Sequence, residues 1–180
     1  MKKELFKEIE IPKDVEIGVE GNTLTVRGKE ATLKRKIDTQ KLIFEVKDRK
    51  IRVGNKNLTK KEKKMMNTTV SHIKNMIRGV QKKFEYELKI CFNHFPITVE
   101  VKGKEILVKN FLGEKFPRKV KIPEGADVRV DKDLIKVSSA DKEIAGQAAA
   151  NLETITKIRA RDRRVFQDGI FIINKAGKEI

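Results

Sequence analysis

Apolar and polar residues alternate along most of this chain, and the alternation is written twice. Val15-Glu16-Ile17-Gly18-Val19-Glu20-Gly21-Asn22-Thr23-Leu24-Thr25-Val26 lies over Ile97-Thr98-Val99-Glu100-Val101-Lys102-Gly103-Lys104-Glu105-Ile106-Leu107-Val108, 82 residues on. Apolar positions 15, 17, 19, 24 and 26 meet 97, 99, 101, 106 and 108, and Gly21 meets Gly103. A second block repeats at a spacing of 84, with Phe44, Val46, Ile51 and Val53 over Val128, Val130, Ile135 and Val137. Period-two runs of this length predict short strands with one apolar face. Thr23–Arg27, Leu33–Ile37 and Lys50–Val53 are such runs, as is Tyr86–Cys91. Gly21-Asn22 and Asp48-Arg49 fall where hairpins must reverse.

In each half the period then changes from two to 3.6. Thr59 is placed to cap a helix, with Glu62 completing a capping box. The apolar stripe Met65, Met66, Val70, Ile73, Met76 and Ile77 carries this helix to about Ile77, with Gly79 as the expected stop. The second helix starts near Asp141 and shows Ile144, Ala148, Leu152 and Ile155 on one face. Its run Gly146–Ala150 is slim enough for close approach of a sheet. The expected class is α+β: two duplicated modules, residues 1–82 and 83–180, each an antiparallel β-sheet packed against one α-helix.

Charge narrows the function. The 180 residues carry a net charge of +16, and charged and apolar residues each make up 38% of the chain. Cores must therefore be thin, and a polyanion is the natural partner. Residues 1–82 hold 22 basic and 11 acidic residues, against 20 and 15 for residues 83–180. A single cysteine, Cys91, excludes an internal disulfide and reads as a small buried hydrophobe. The opening Met1–Glu8 has no apolar signal stretch, and no apolar run is long enough to span a bilayer, so a cytoplasmic location is expected.

The strongest binding signal is Lys157-Ile158-Arg159-Ala160-Arg161-Asp162-Arg163-Arg164, in which five of eight residues are cationic and four are arginine. Planar guanidinium forks suit phosphate oxygens. The same run also reads as the solvated end of the second helix, where cations favour the dipole. Phe166 is either a base-stacking ring or an anchor onto its own core. Lys109-Asn110-Phe111-Leu112-Gly113-Glu114-Lys115-Phe116-Pro117-Arg118-Lys119 is the second candidate, with its cations available to phosphate and Phe111, Leu112 and Phe116 expected to pack inward. Lys60-Lys61-Glu62-Lys63-Lys64 reads as a solvated helix face. Catalysis finds little support. His72 and His94 have no partners at metal-ligand spacing, and no phosphate-binding glycine loop occurs. Asp131, Asp133, Asp162 and Asp168 leave only a remote nuclease alternative.

Five blocks resemble the L-six family of large-subunit ribosomal proteins in its archaeal and eukaryotic form. They are Ile11-Pro12 with Val15, Val19-Glu20-Gly21 and Val26-Arg27-Gly28; Asn75–Val80; His94-Phe95-Pro96-Ile97; Asn110–Lys115; and Arg164–Phe171. The last two, in this order and at this distance, are the most specific. The Arg-x-Phe-x-Asp-Gly style of ending and the compact length point to an archaeal member. Gly28-Lys29-Glu30-Ala31 departs from the family's usual Gly-Pro turn, and Phe171 stands where a Tyr is usual.

The resemblance implies a non-enzymatic structural constituent of the large ribosomal subunit, without cofactor, metal, membrane or small-molecule substrate. Its partners would be large-subunit rRNA near the sarcin–ricin loop, neighbouring ribosomal proteins at the stalk base, and translational GTPases docking nearby. The first module would face outward and the second would grip RNA. The implied contacts are Lys109, Asn110, Lys115, Arg118 and Lys119 in the loop, and Lys157, Arg159, Arg161, Arg163 and Arg164 in the basic C-terminal tail. Asp168 and Gly169 would shape the turn that presents that tail. A free-standing nucleic-acid chaperone with diffuse contacts is the alternative, and an adaptor for acidic proteins remains open as an addition.

Overall fold

The computed structural model describes residues 3–37, 42–47 and 49–180, so Asp48 of the expected hairpin turn lies outside the described residues. The chain divides into two compact units, residues 1–83 and 84–180. The first contains β1 (Lys3–Glu10), β2 (Glu16–Glu20), β3 (Thr23–Arg27), β4 (Thr32–Lys36), β5 (Ile43–Lys47), β6 (Lys50–Leu58) and α1 (Lys60–Gln81). The second contains β7 (Phe84–Cys91), β8 (Thr98–Lys102), β9 (Glu105–Lys109), β10 (Arg118–Lys121), β11 (Asp127–Asp131), β12 (Leu134–Ser139), α2 (Lys142–Ile155), β13 (Gly169–Lys175) and β14 (Lys178–Glu179).

The expected α+β class holds, with every strand pairing antiparallel. Each unit divides its strands between two sheets rather than one. In the first they run β1-β6-β5 and β2-β3-β4; in the second, β11-β12-β7-β13-β14 and β10-β9-β8. The 82-residue repeat is the hairpin β2–β3 and its copy β8–β9, paired in matching register: Val19 faces Leu24 as Val101 faces Ile106. Gly21 and Gly103 occupy the turns at φ +56° and +60°, where a side chain would be strained. The 84-residue repeat is β5–β6 and β11–β12.

Each helix packs on strands of both sheets in its unit. Leu24 and Val26 of one sheet and Ile51 and Val53 of the other bury with Met66, Val70, Ile73 and Val80 of α1. In the second unit Ile106 and Val108 join Leu88, Ile135, Val137 and Ile170 around Ala145, Ala148, Ala149 and Leu152 of α2. The small residues of α2 let strands come close.

The helix boundaries follow local chemistry. The Thr59 hydroxyl accepts from the Glu62 N–H, and the Glu62 carboxylate accepts from the Thr59 N–H at 2.7 Å, closing the expected box. Gly79 does not stop α1. It is buried, and the helix continues through fully buried Val80 to Gln81. The gain from seating Val80 outweighs the weak breaking tendency of one glycine. Asp141 caps α2 by accepting from the Glu143 N–H at 2.8 Å.

Candidate nucleic-acid interface

The strand β9 delivers the chain into a strained turn. Asn110, Leu112 and Gly113 all take left-handed backbone at φ 57°, 50° and 76°. Two of the three are not glycine, so other contacts must hold them there. The Asn110 amide donates to the Pro96 carbonyl at 3.0 Å, and Phe111 is buried to 1% exposure between these residues. Leu112 packs partly against the core, but Phe116 does not pack inward as expected: it is 84% exposed. The reason is local. Phe111 already fills the core beneath the loop, and Pro117 separates Phe116 from the strand that follows.

Arg118 fixes this loop from below. Its Nε donates to Glu114 Oε2 at 2.8 Å, its Nη2 donates to the other oxygen of the same carboxylate, and its Nη1 donates to the Ile155 carbonyl at the end of α2. The guanidinium also lies 4.3 Å from the centre of the Phe111 ring. Hydrogen bonding to Arg118 holds the Glu114 carboxyl below its usual range. Arg118 therefore ties the loop to the second helix, with its fork largely spent inside the protein.

The basic run after α2 is neither helix nor free tail. The helix ends at Ile155, and residues 157–168 form an irregular loop before the chain returns as β13 alongside β7. Both ends of the loop are pinned. Buried Thr156 accepts from the Ile170 N–H at 2.9 Å while its hydroxyl turns back to the Glu153 carbonyl. Asp168, at 1% exposure, accepts from the backbone N–H groups of Asn93 and His94 at 2.8 and 3.0 Å and from His94 Nδ1 at 2.6 Å. Burial alone would raise the Asp168 carboxyl, but these donors outweigh it and hold the group below its usual range. Gly169 follows at φ +155°, where a Cβ would sit 3.3 Å from the Phe171 ring. Asp168 and Gly169 thus close the loop onto β7.

Two hollows flank this loop. A groove of about 700 Å³ runs between the β9–β10 loop and the end of α2, with Phe111, Val120, Ile155 and Ile158 among its walls. Arg118, Lys119, Lys157, Arg159 and Arg161 line it, bringing together cations that are up to 43 positions apart in sequence. On the other side a cavity of about 710 Å³ takes Lys157 and Arg163, with Cys91, Asn93, Phe166 and Asp168. Lys109, Asn110, Lys115 and Arg164 line neither hollow.

The cations differ in how free they are. Lys109 pairs with Glu100 at 2.6 Å and Arg164 with Asp162 at 2.9 Å, and both carboxyls are held below their usual range, first by those hydrogen bonds. Arg161 lies 4.8 Å over the Phe166 ring, which also stacks on His94 at 4.7 Å. The Phe166 ring is thereby engaged by its own chain, consistent with the anchoring role. Among the described residues, Lys115, Lys119, Lys157, Arg159 and Arg163 have no acidic partner. Reading along the chain missed His94 as a structural partner of Asp168; the two lie 74 residues apart. It also missed Phe116 as an exposed ring.

Among the described residues no three histidine, cysteine, aspartate or glutamate side chains are grouped to hold a metal ion, and no helix is long and apolar enough to cross a membrane. The geometry defines a class: a duplicated α+β scaffold whose second unit presents a cationic groove. Comparison with known families carries this further. Residues 11–83 and 95–169 match the family described as Ribosomal protein L6, and the chain belongs to that family, whose members are structural proteins rather than enzymes. It is similar to the large ribosomal subunit protein uL6 of Methanococcus vannielii, 43% identical over 172 residues that cover 96% of this chain and 94% of the relative. The protein of the same name from Archaeoglobus fulgidus is 43% identical over 179 residues, covering 96% and 91%.

Proposed function

We propose that this chain is a structural constituent of the large ribosomal subunit in the cytoplasm, and that its second unit grips large-subunit rRNA near the sarcin–ricin loop and stalk base. Family membership supports the first part. The second part is carried by one observation: cations from two distant segments converge on a groove whose loops are rigidly tied. Lys119, Lys157 and Arg159 are the leading phosphate ligands, because no internal carboxylate competes for them. Arg161 acts beside them from its place on Phe166, and Arg163 and Lys115 extend the contact outward. Lys109, Arg118 and Arg164 reach RNA only by giving up or sharing an internal pair. Asn110 serves by holding the strained turn.

The mechanism is electrostatic. Each phosphate neutralised releases counterions, and a groove preformed before binding loses little entropy on contact. RNA shape rather than sequence would be read, since A-form helices hide most base edges. By holding one fold of the RNA, the protein would keep the surface used by translational GTPases in order, alongside neighbouring ribosomal proteins.

Crosslinking of the protein to total cellular RNA tests this. Residues 109–119 and 157–168 should crosslink to one region of large-subunit rRNA around the sarcin–ricin loop. A flat profile over unrelated RNAs would transfer the weight to a free-standing chaperone.

A further inference from the structure

The solvent face of α1 belongs to none of these contacts, and it is cationic at both ends. Lys60, Lys64, Asn67, Ser71, Lys74, Arg78 and Lys82 recur at steps of three and four, the spacing of one helix face. Lys61 and Lys63 flank the upper end. The six lysines and one arginine at positions 60, 61, 63, 64, 74, 78 and 82 are all exposed. No Asp or Glu occurs from Lys63 to Lys82, and none of the seven cations has an acidic partner among the described residues. The one acid of the helix, Glu62, points its carboxylate at the Thr59 backbone and hydroxyl.

A face evolved only for solubility intersperses both signs, because i,i+4 pairs stabilise the helix and like charges at that spacing destabilise it. Lysines in the first turn also oppose the helix dipole. The dipole accounts for Arg78 and Lys82 at the end of the helix, but for neither Lys74 nor the run Lys60–Lys64. We propose that the exposed face of α1 is a second RNA-binding surface, docking along the phosphate backbones of a double-helical RNA segment; the proposal rests on the ribosomal reading above.

Three observations favour RNA over an acidic protein. The face carries no exposed apolar or aromatic residue, whereas protein interfaces centre on such anchors. Protein–nucleic acid interfaces are polar and strongly positive, as this one is. The cations also fall into two groups, residues 60–64 and 74–82, separated by the uncharged stretch 65–73. On a helix of 22 residues, about 33 Å long, the gap from Lys64 to Lys74 is roughly 15 Å. Its outward residues are short: the hydroxyls of Thr68 and Ser71 fold back on the Lys64 and Asn67 carbonyls at 3.1 and 3.0 Å. Two cationic groups around a low polar middle suit two phosphate strands on either side of the shallow A-form minor groove. Arg35 of β4 donates to His72 Nε2 at 3.1 Å and adds a further guanidinium beside the helix.

The test is the affinity of the full chain for purified large-subunit rRNA across a salt series. The variants are Lys64→Gln/Lys74→Gln/Arg78→Gln and, separately, Lys119→Gln/Arg159→Gln. Glutamine keeps helix propensity, which circular dichroism checks. The helix variant should bind on the order of tenfold more weakly and flatten the logarithmic salt slope by about 2 to 3. If it matches the parent in both while the groove variant weakens, the helix proposal fails and the ribosomal reading stands. If neither variant weakens, the groove reading fails too. If rRNA binding is intact but binding to poly-L-glutamate is lost, an acidic protein takes the place of RNA on this face.

Discussion

The two units repeat one plan, and they differ most where the second departs from it. The β3–β4 connection spans residues 28–31, whereas its counterpart β9–β10 spans residues 110–117 and carries the strained turn, Phe116 and Lys115. The first unit ends its plan with α1, while the second adds the pinned 157–168 loop and the strands β13 and β14. The two longer loops both line the groove. The first unit keeps the short loops and places its cations on a regular helix face instead. A duplicated scaffold can thus present charge in two ways: as a built hollow, or as a straight ridge.

The second unit depends on the internal ties that pin its added loops, and breaking the strongest of them should have the largest effect. Asp168→Asn keeps an oxygen for the Asn93 and His94 backbone N–H groups, but it removes the carboxylate charge and puts a donor in place of the oxygen that accepts from His94 Nδ1, at a cost of roughly 3 kcal/mol. Hydrogen exchange should show the loss in residues 84–180, around β7 and β13. The folded Asp168 carboxyl is lowered, so its contribution is complete above the ordinary value near 3.8. It shrinks as pH falls below that value and vanishes once pH passes below the folded value. Urea titrations should therefore separate parent and variant most at neutral pH and draw them together in strong acid. A constant gap would mean that the carboxylate charge is irrelevant to this closure.

The next test separates the two connecting loops. Phe116 is 84% exposed, so Phe116→Ala should change stability by less than about 0.5 kcal/mol. If this ring stacks on an unpaired base, the same change should weaken rRNA binding by roughly 1–3 kcal/mol. Lys29→Ala, in the shorter loop, should leave both unchanged within about 0.5 kcal/mol. Equal binding by all three proteins would reduce the longer loop to a spacer.

How much of this was legible beforehand follows from the range of each interaction. Hairpins β2–β3 and β8–β9 were readable down to register, because a period of two and a turn glycine are both local. The capping box at Thr59 and the start of α2 near Asp141 were readable for the same reason. Gly79 misled because a glycine signals an end only where nothing beyond it has a core to enter, and Val80 does. The division into two sheets was invisible, since alternation gives each strand a face but not its neighbour. The nine candidate cations were chosen by type, yet their freedom was not legible: Glu100, Glu114 and Asp162 claim Lys109, Arg118 and Arg164 through folded geometry. His94 and Asp168 each carried a recognisable block, but only the fold makes them partners.

The smallest effect bears on the ridge. In α1 the Glu62 carboxylate has two roles: it closes the capping box, and it is the single negative charge near a helix start crowded with lysines. Glu62→Gln keeps an acceptor for the Thr59 N–H but removes the charge that favours the dipole. The loss should be only about 0.5 kcal/mol at low salt and should fade as salt rises. In α2 the cap comes from Asp141 alone, Glu143 carries no box, and lysines do not crowd the first turn, so Glu143→Gln should cost less. Guanidinium is itself a salt, so urea melts at two ionic strengths are the measurement. A larger, salt-sensitive loss at Glu62 than at Glu143 would show that the lysines strain the start of α1 in the free protein. Equal losses would mean that those lysines are well solvated, and the electrostatic cost that argues for a partner on this face would disappear.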